Sequence, residues 1–160
     1  MTIPRQVLEL ENRSLGEKGE PTLFRAYELL LAHWRSGSRD REVGLHLMFL
    51  AWYLLVEPPH LTGFDEMTME SSTLSTVFCE AHEHFVPTIK RDAEMLFVVG
   101  LMSHLTPWLL GEMAKVEALA DEYRSLYRAL APDGLSSDLF AGRGAYGDYF
   151  AGQARVVGGY

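Results

Sequence analysis

The chain is short of cations, nearly empty of cysteine, and holds no apolar run of membrane-spanning length. Lys and Arg number 14 against 22 Asp and Glu, a formal charge of −8 over 160 residues. Displacing counterions from phosphates needs a basic footprint, so this balance argues against nucleic acid as a partner. The same charge keeps a surface soluble and would speed encounter with a basic protein or peptide. The lone cysteine, Cys79, has no second thiol to pair with, which points to a reducing, cytoplasmic setting. Residues Met1 to Leu15 alternate charged and apolar side chains and lack the basic head and continuous apolar run of a secretion signal.

Two stretches come nearest to a membrane span. Val43 to Val56 is apolar over 14 residues but contains His46 and is followed by Pro58-Pro59. Met95 to Leu110 contains Ser103, His104, Thr106 and Pro107. A bilayer helix requires ~20 apolar residues, so both read as buried core helices and no membrane is expected.

Catalytic signatures are equally sparse. There is no G-x-S-x-G nucleophile elbow. Gly142 to Gly147 spells G-x-G-x-x-G, but no strand precedes it, and its phosphate-cradling role depends on that context. The Glu-x-x-His pairs of a di-iron bundle are absent around Glu80 and Glu83. Cys79, His82 and His84 form the sharpest cluster of metal-ligating types. On a helix, Cys79 and His82 share a face and His84 turns away by about 200°, so at most two ligands converge and no metal site is expected. His33, His46 and His104 lie on or near apolar segments, with no carboxylate at a spacing that marks an orienting partner. His46 sits within the most apolar one and, if buried, must satisfy its ring nitrogens there. The balance leans against an enzyme, and no cofactor is implied.

What the chain does have is helix signals. A hydrophobic share of 48% and a charged share of 22% are those of an ordinary globular protein. One domain over residues 1–160 would bury roughly 70% of its unfolded surface. Pro4 to Asn12 suits a short helix. Thr22 is a candidate N-cap for an amphipathic helix over Leu23–Arg35, with Leu23, Tyr27, Leu30, Leu31 and Trp34 on one face and Gly37 as its stop. Residues 40–56 suit a central helix that is apolar nearly all round and ended by Pro58-Pro59. The short connection makes these two antiparallel. A loop over His60 to Met69 precedes a helix over Ser71–Phe85. Pro87 marks a break, after which Thr88–Met102 forms another helix. Thr106-Pro107 opens a last core helix reaching about Leu130, and Pro132-Asp133-Gly134 ends it.

Two segments share a skeleton at an offset of 74 residues: Trp34, Tyr53, Pro58, Leu61 and Thr62 answer to Trp108, Tyr127, Pro132, Leu135 and Ser136. The offset aligns Gly111 with Gly37 and so places a hairpin turn near Gly111, whereas the Thr-Pro signal places it earlier; proline sterics favour the second.

The final residues change character, with Gly142, Gly144, Gly147 and Gly152 among Phe140, Tyr146, Tyr149 and Phe150. Each helical glycine costs about 1 kcal/mol against alanine, so the start of this stretch reads as a loop whose large aromatic side chains pack back on the helices. A helix over Asp148–Arg155 is open, and Gly158-Gly159-Tyr160 reads as frayed. Arg143 suits a clamp on an acidic side chain or an aromatic ring, pinning the tail. Arg143, Tyr146 and Tyr149 are also the candidate partner-binding residues.

Residues 22–62 and 96–136, with their aromatic anchors and closing prolines, resemble the helical-hairpin repeats of the tetratricopeptide class. Val99-Gly100 matches the Leu-Gly of that family's first helix, and Ala120 with Pro132 its second-helix alanine and closing proline; the family's 34-residue period is missing. The resemblance implies a protein- or peptide-binding scaffold without catalytic residues.

The expected fold is all-α: five to six helices in antiparallel hairpins, as a bundle or short repeat array. Residues 22–133 form the core and 134–160 a Gly/aromatic tail on the surface. The expected function is non-enzymatic binding of a protein or peptide, with a basic partner favoured by charge, as an adaptor or inhibitory protein. The alternative is a small-ligand or metal-binding bundle using His46, His82, His104 or Cys79. A homodimer through spare apolar surface on residues 43–56 is also open. A groove lined by exposed aromatics would favour the first, and a closed cavity of ~300 Å³ or more a small ligand.

Overall fold

Nine α-helices and one 3-10 turn make up the regular structure in the computed structural model, which describes residues 3–157. The chain is all-α, with helices packed antiparallel in pairs, and the count exceeds the five or six read from the sequence. The extra elements are single turns that start at prolines and a long helix in the tail. The terminal Gly158-Gly159-Tyr160 segment lies outside the described residues. No helix among them is long and apolar enough to cross a membrane.

The chain divides into two compact units, one of residues 1–82 with 143–146, the other of 83–142 with 147–160. In the first, α1 (Arg5–Arg13) packs on α2 (Leu23–Arg35), and α2 pairs with α3 (Arg41–Val56). Ala26, Tyr27, Leu30 and Trp34 form the buried stripe of α2. Gly37, with φ of 109°, lets the chain turn at its end. Asp40 then caps α3 by accepting from the Val43 amide at 3.0 Å. Thr22 does not cap α2. Its hydroxyl donates instead to the Leu10 carbonyl at 2.6 Å, tying the end of α1 to the start of α2. From Val43 to Trp52 every residue of α3 is buried. At about 1.5–3 kcal/mol for each large apolar side chain, this helix supplies much of the unit's core. Pro58-Pro59 ends it and begins the one-turn α4 (Pro59–Thr62) inside the predicted loop.

α5 (Ser71–Ile89) runs from the first unit into the second and carries Pro87 inside it. The expected break there does not occur. Proline in a last turn deprives only the carbonyl four residues earlier, here Glu83, and both residues are exposed, so water can serve it. The helix stops two residues later, and Asp92 caps α6 (Ala93–Leu105) from the Met95 amide at 3.0 Å. In the second unit, α6 lies antiparallel to α8 (Met113–Leu130), and between them sits the single turn α7 (Pro107–Leu110). Both turn signals of the sequence operate. Pro107 starts α7, and Gly111, at φ 155° and ψ −154°, ends it in a conformation suited to glycine. Val116, Ala120, Tyr123 and Tyr127 form the buried stripe of α8.

The tail departs most from its expected form. After a 3-10 turn at Ser137–Phe140, the chain winds into α9 (Gly144–Val157), with Gly147 and Gly152 inside the helix. Phe140, Tyr146 and Phe150 are fully buried. In the second unit Phe140 and Phe150 join Phe97, at ring-centroid distances of 6.2 Å for each pair. Each aromatic buries roughly 150–250 Å², which at about 25 cal/mol per Å² outweighs the helical cost of the glycines.

Candidate functional site

Two places draw together the residues that chemistry or recognition could use. The first lies in the core of the first unit. His46 on α3 directs Nδ1 to Glu11 Oε2 of α1 at 2.8 Å and Nε2 to Glu42 Oε1 at 3.2 Å. Two carboxylates facing both ring nitrogens require both to donate, which only the imidazolium can do. Arg143 closes the set with a two-pronged bond to Glu42, Nε–Oε1 at 2.8 Å and Nη2–Oε2 at 2.7 Å. The Tyr146 amide donates to the other Glu11 oxygen at 3.2 Å. Its ring lies 4.7 Å from the His46 ring and 5.0 Å from the Arg143 guanidinium carbon, so a π-face meets two cations.

Electrostatics follow from this geometry. Burial disfavours the charged His46 ring, but the charge and hydrogen bond of Glu11, helped by Glu42, raise its pKa from 6.5 to about 9. Burial likewise pushes the Glu42 carboxyl up; bonds from His46 and Arg143 outweigh this and hold it at about 2. Two negative and two positive groups balance, and each is satisfied by another member. His46 and Glu11 are fully buried. Glu42 and Arg143 are partly exposed at the edge, and the set forms a clasp that holds residues 143–146 against α1 and α3.

Arg143 therefore both clamps an acid and stacks on an aromatic ring, as its setting suggested. Tyr146 is wholly inside, while Tyr149 is half-buried on α9. The expectation that no carboxylate would orient His46 is corrected. Glu42 stands four residues before it on α3, the spacing at which helical side chains meet. Glu11 comes from another helix and gave no local signal. The other histidines do not converge: His33 and His82 are half-buried, whereas His60, His84 and His104 are exposed. Among the described residues no group of three or more His, Cys, Asp or Glu side chains is placed to hold a metal ion.

The second place is the corner where α6, α7 and α8 meet in the second unit. Trp108 on α7 is 62% exposed, and Leu105 and Met113 on either side of it are 41% and 51% exposed. One turn along α8 from Met113 stands Glu117, and a further turn on, Asp121. These two acids and His104, the neighbour of Leu105, line a cleft of about 270 Å³. The neighbouring acids are compensated: Glu112, just before α8, pairs with Lys115 at 2.8 Å, and Glu122 of α8 with Lys90, just past α5, at 3.1 Å. Among the described residues no Lys or Arg pairs with Glu117 or Asp121. In the sequence Trp108 reads as one anchor of a repeat, and the i, i+4 spacing of Glu117 and Asp121 is the local signal of this acidic pair.

No family model matches the chain, and no curated protein or solved structure does either.

Proposed function

We propose that this chain is a non-enzymatic protein-binding protein that meets its partner at the α6–α7–α8 corner. The exposure of Trp108 carries the reading. A tryptophan costs solubility when left in water, and it is among the residues most enriched at the energetic centres of interfaces. Leu105 and Met113, which flank α7 in the chain, are exposed large apolar residues as well. The cleft lined by His104, Glu117 and Asp121 is smaller than the ~300–1,000 Å³ of pockets that enclose small ligands, which favours a surface that takes side chains. This keeps what the helical-hairpin resemblance implied, a scaffold for a protein or peptide with no catalytic residues.

The test is parallel affinity capture from source cells with the parent chain and Trp108→Ala. The proposal expects at least one protein retained by the parent and lost by the variant, at unchanged helicity. A set of captured proteins identical for both would remove the corner from consideration.

A further inference from the structure

Resting on that reading of the corner, we infer that the partner presents a basic segment, a Lys or Arg placed about one helical turn from a large apolar side chain. The apolar residue covers Trp108, Leu105 and Met113, and the cation enters the cleft of Glu117 and Asp121.

Charge and spacing carry the argument. Met113, Glu117 and Asp121 are four residues apart on α8, so they form one row with steps of about 6 Å. The row starts apolar and becomes acidic. Its two acids are those on α8 left without a Lys or Arg, while Glu112 and Glu122 are each held by a lysine. Uncompensated like charges one turn apart repel each other slightly and are relieved by an incoming cation. A negatively charged partner would add a third charge to the row and be rejected. The cleft's own cation-capable residue, His104, sits at its α6 side, leaving the α8 side wholly acidic. Complementary charge of this kind speeds docking and fixes register more than it adds affinity, the apolar contact with Trp108 supplying most of the hold.

Two designed amphipathic peptides, identical in Leu and Phe positions but bearing either Lys or Glu on the flanking turn, serve as probes for titration against the full chain. Trp34 and Trp52 are buried, so a blue shift on binding reports Trp108. The Lys peptide is expected to bind and the Glu peptide to bind at least roughly tenfold more weakly. Joint Glu117→Lys and Asp121→Lys reversal should invert that preference, and joint Glu17→Lys and Glu20→Lys reversal, at exposed acids elsewhere, should leave it intact. If the α8 reversal fails to fold, Glu117→Gln with Asp121→Asn should erase the preference. Equal binding of both peptides, binding of neither, or equal loss in the distant control would overturn the inference. The corner would then survive on its own if Trp108→Ala still loses a captured protein, and both would fall if it does not.

Discussion

Trp34 and Trp108 occupy matching places in the sequence and opposite places in the fold. Each is followed nineteen residues later by a tyrosine, then by a proline and a leucine. Trp34 closes the buried stripe of a thirteen-residue helix, is 1% exposed, and has the Arg39 guanidinium carbon 4.2 Å from its ring centre. Trp108 rides a four-residue turn and is 62% exposed. The difference comes from what surrounds each residue. Leu31, Leu30 and Tyr27 precede Trp34 in one uninterrupted helix, so their shared period sets its direction. Thr106-Pro107 and Gly111 bracket Trp108 and reset the helix twice within six residues, so the earlier period says nothing about where it points. A shared spacing of anchors does not make two hairpins alike when the backbone punctuation differs.

Truncating the two tryptophans should separate them sharply. Trp34→Ala is expected to cost about 3–5 kcal/mol in denaturant unfolding, the range for emptying a large core site. Comparable losses at the two positions would break the contrast. The clasp should be nearly as sensitive: His46→Leu leaves the buried Glu11 without its cation, while Glu42 keeps Arg143, at about 3–5 kcal/mol. A variant as stable as the parent in urea would show that the charges are not paired as described.

Gly144 sharpens the same point on a smaller scale. Its φ is 66°, and a Cβ there would meet Glu11 Oε1 at 2.9 Å. Gly144→Ala should lose about 1–3 kcal/mol from strain and a displaced carboxylate, whereas Gly37→Ala, where a Cβ meets nothing within 4 Å, should cost less. Equal melting temperatures for the two variants would contradict the close approach.

The pH response has a definite sign. The raised His46 pKa contributes stability that is complete below 6.5 and is lost as pH climbs through about 9. The lowered Glu42 pKa contributes stability present above 4.5 and lost as pH falls toward about 2. These two groups together favour a plateau between 4.5 and 6.5, and His46→Gln should remove most of the decline on the alkaline side of it. Smallest of all, Trp108→Ala should shift stability by no more than about 0.5 kcal/mol, as for other surface sites.

Much of this architecture was legible where local signals agreed. Leu23–Arg35 was readable end to end because its apolar period and Gly37 said the same thing. The all-round apolar character of residues 43–56 announced a central helix. Reading failed where a tertiary contact overruled a local preference. Glycines argued for loop at 142–147, yet burial of Tyr146 and Phe150 winds Gly144–Val157 into helix. Pro87 argued for a break, yet exposure made its lost bond cheap. The clasp was half readable, since Glu42 and His46 share a helix. The other contacts join residues 35, 101 and 135 apart, separations at which no periodicity reports proximity. The exposed corner at Trp108 was the least visible, because its position is set by two turns whose angles the chain does not spell out.

A photo-crosslinking residue placed at position 108, with position 156 as an exposed apolar control, probes the central claim directly. Val156 is 83% exposed, more than Trp108, so exposure alone would favour crosslinking there. In source cells the account predicts a discrete heavier band from position 108 that is absent from position 156. Equal labelling from both positions, or none from position 108, would contradict it.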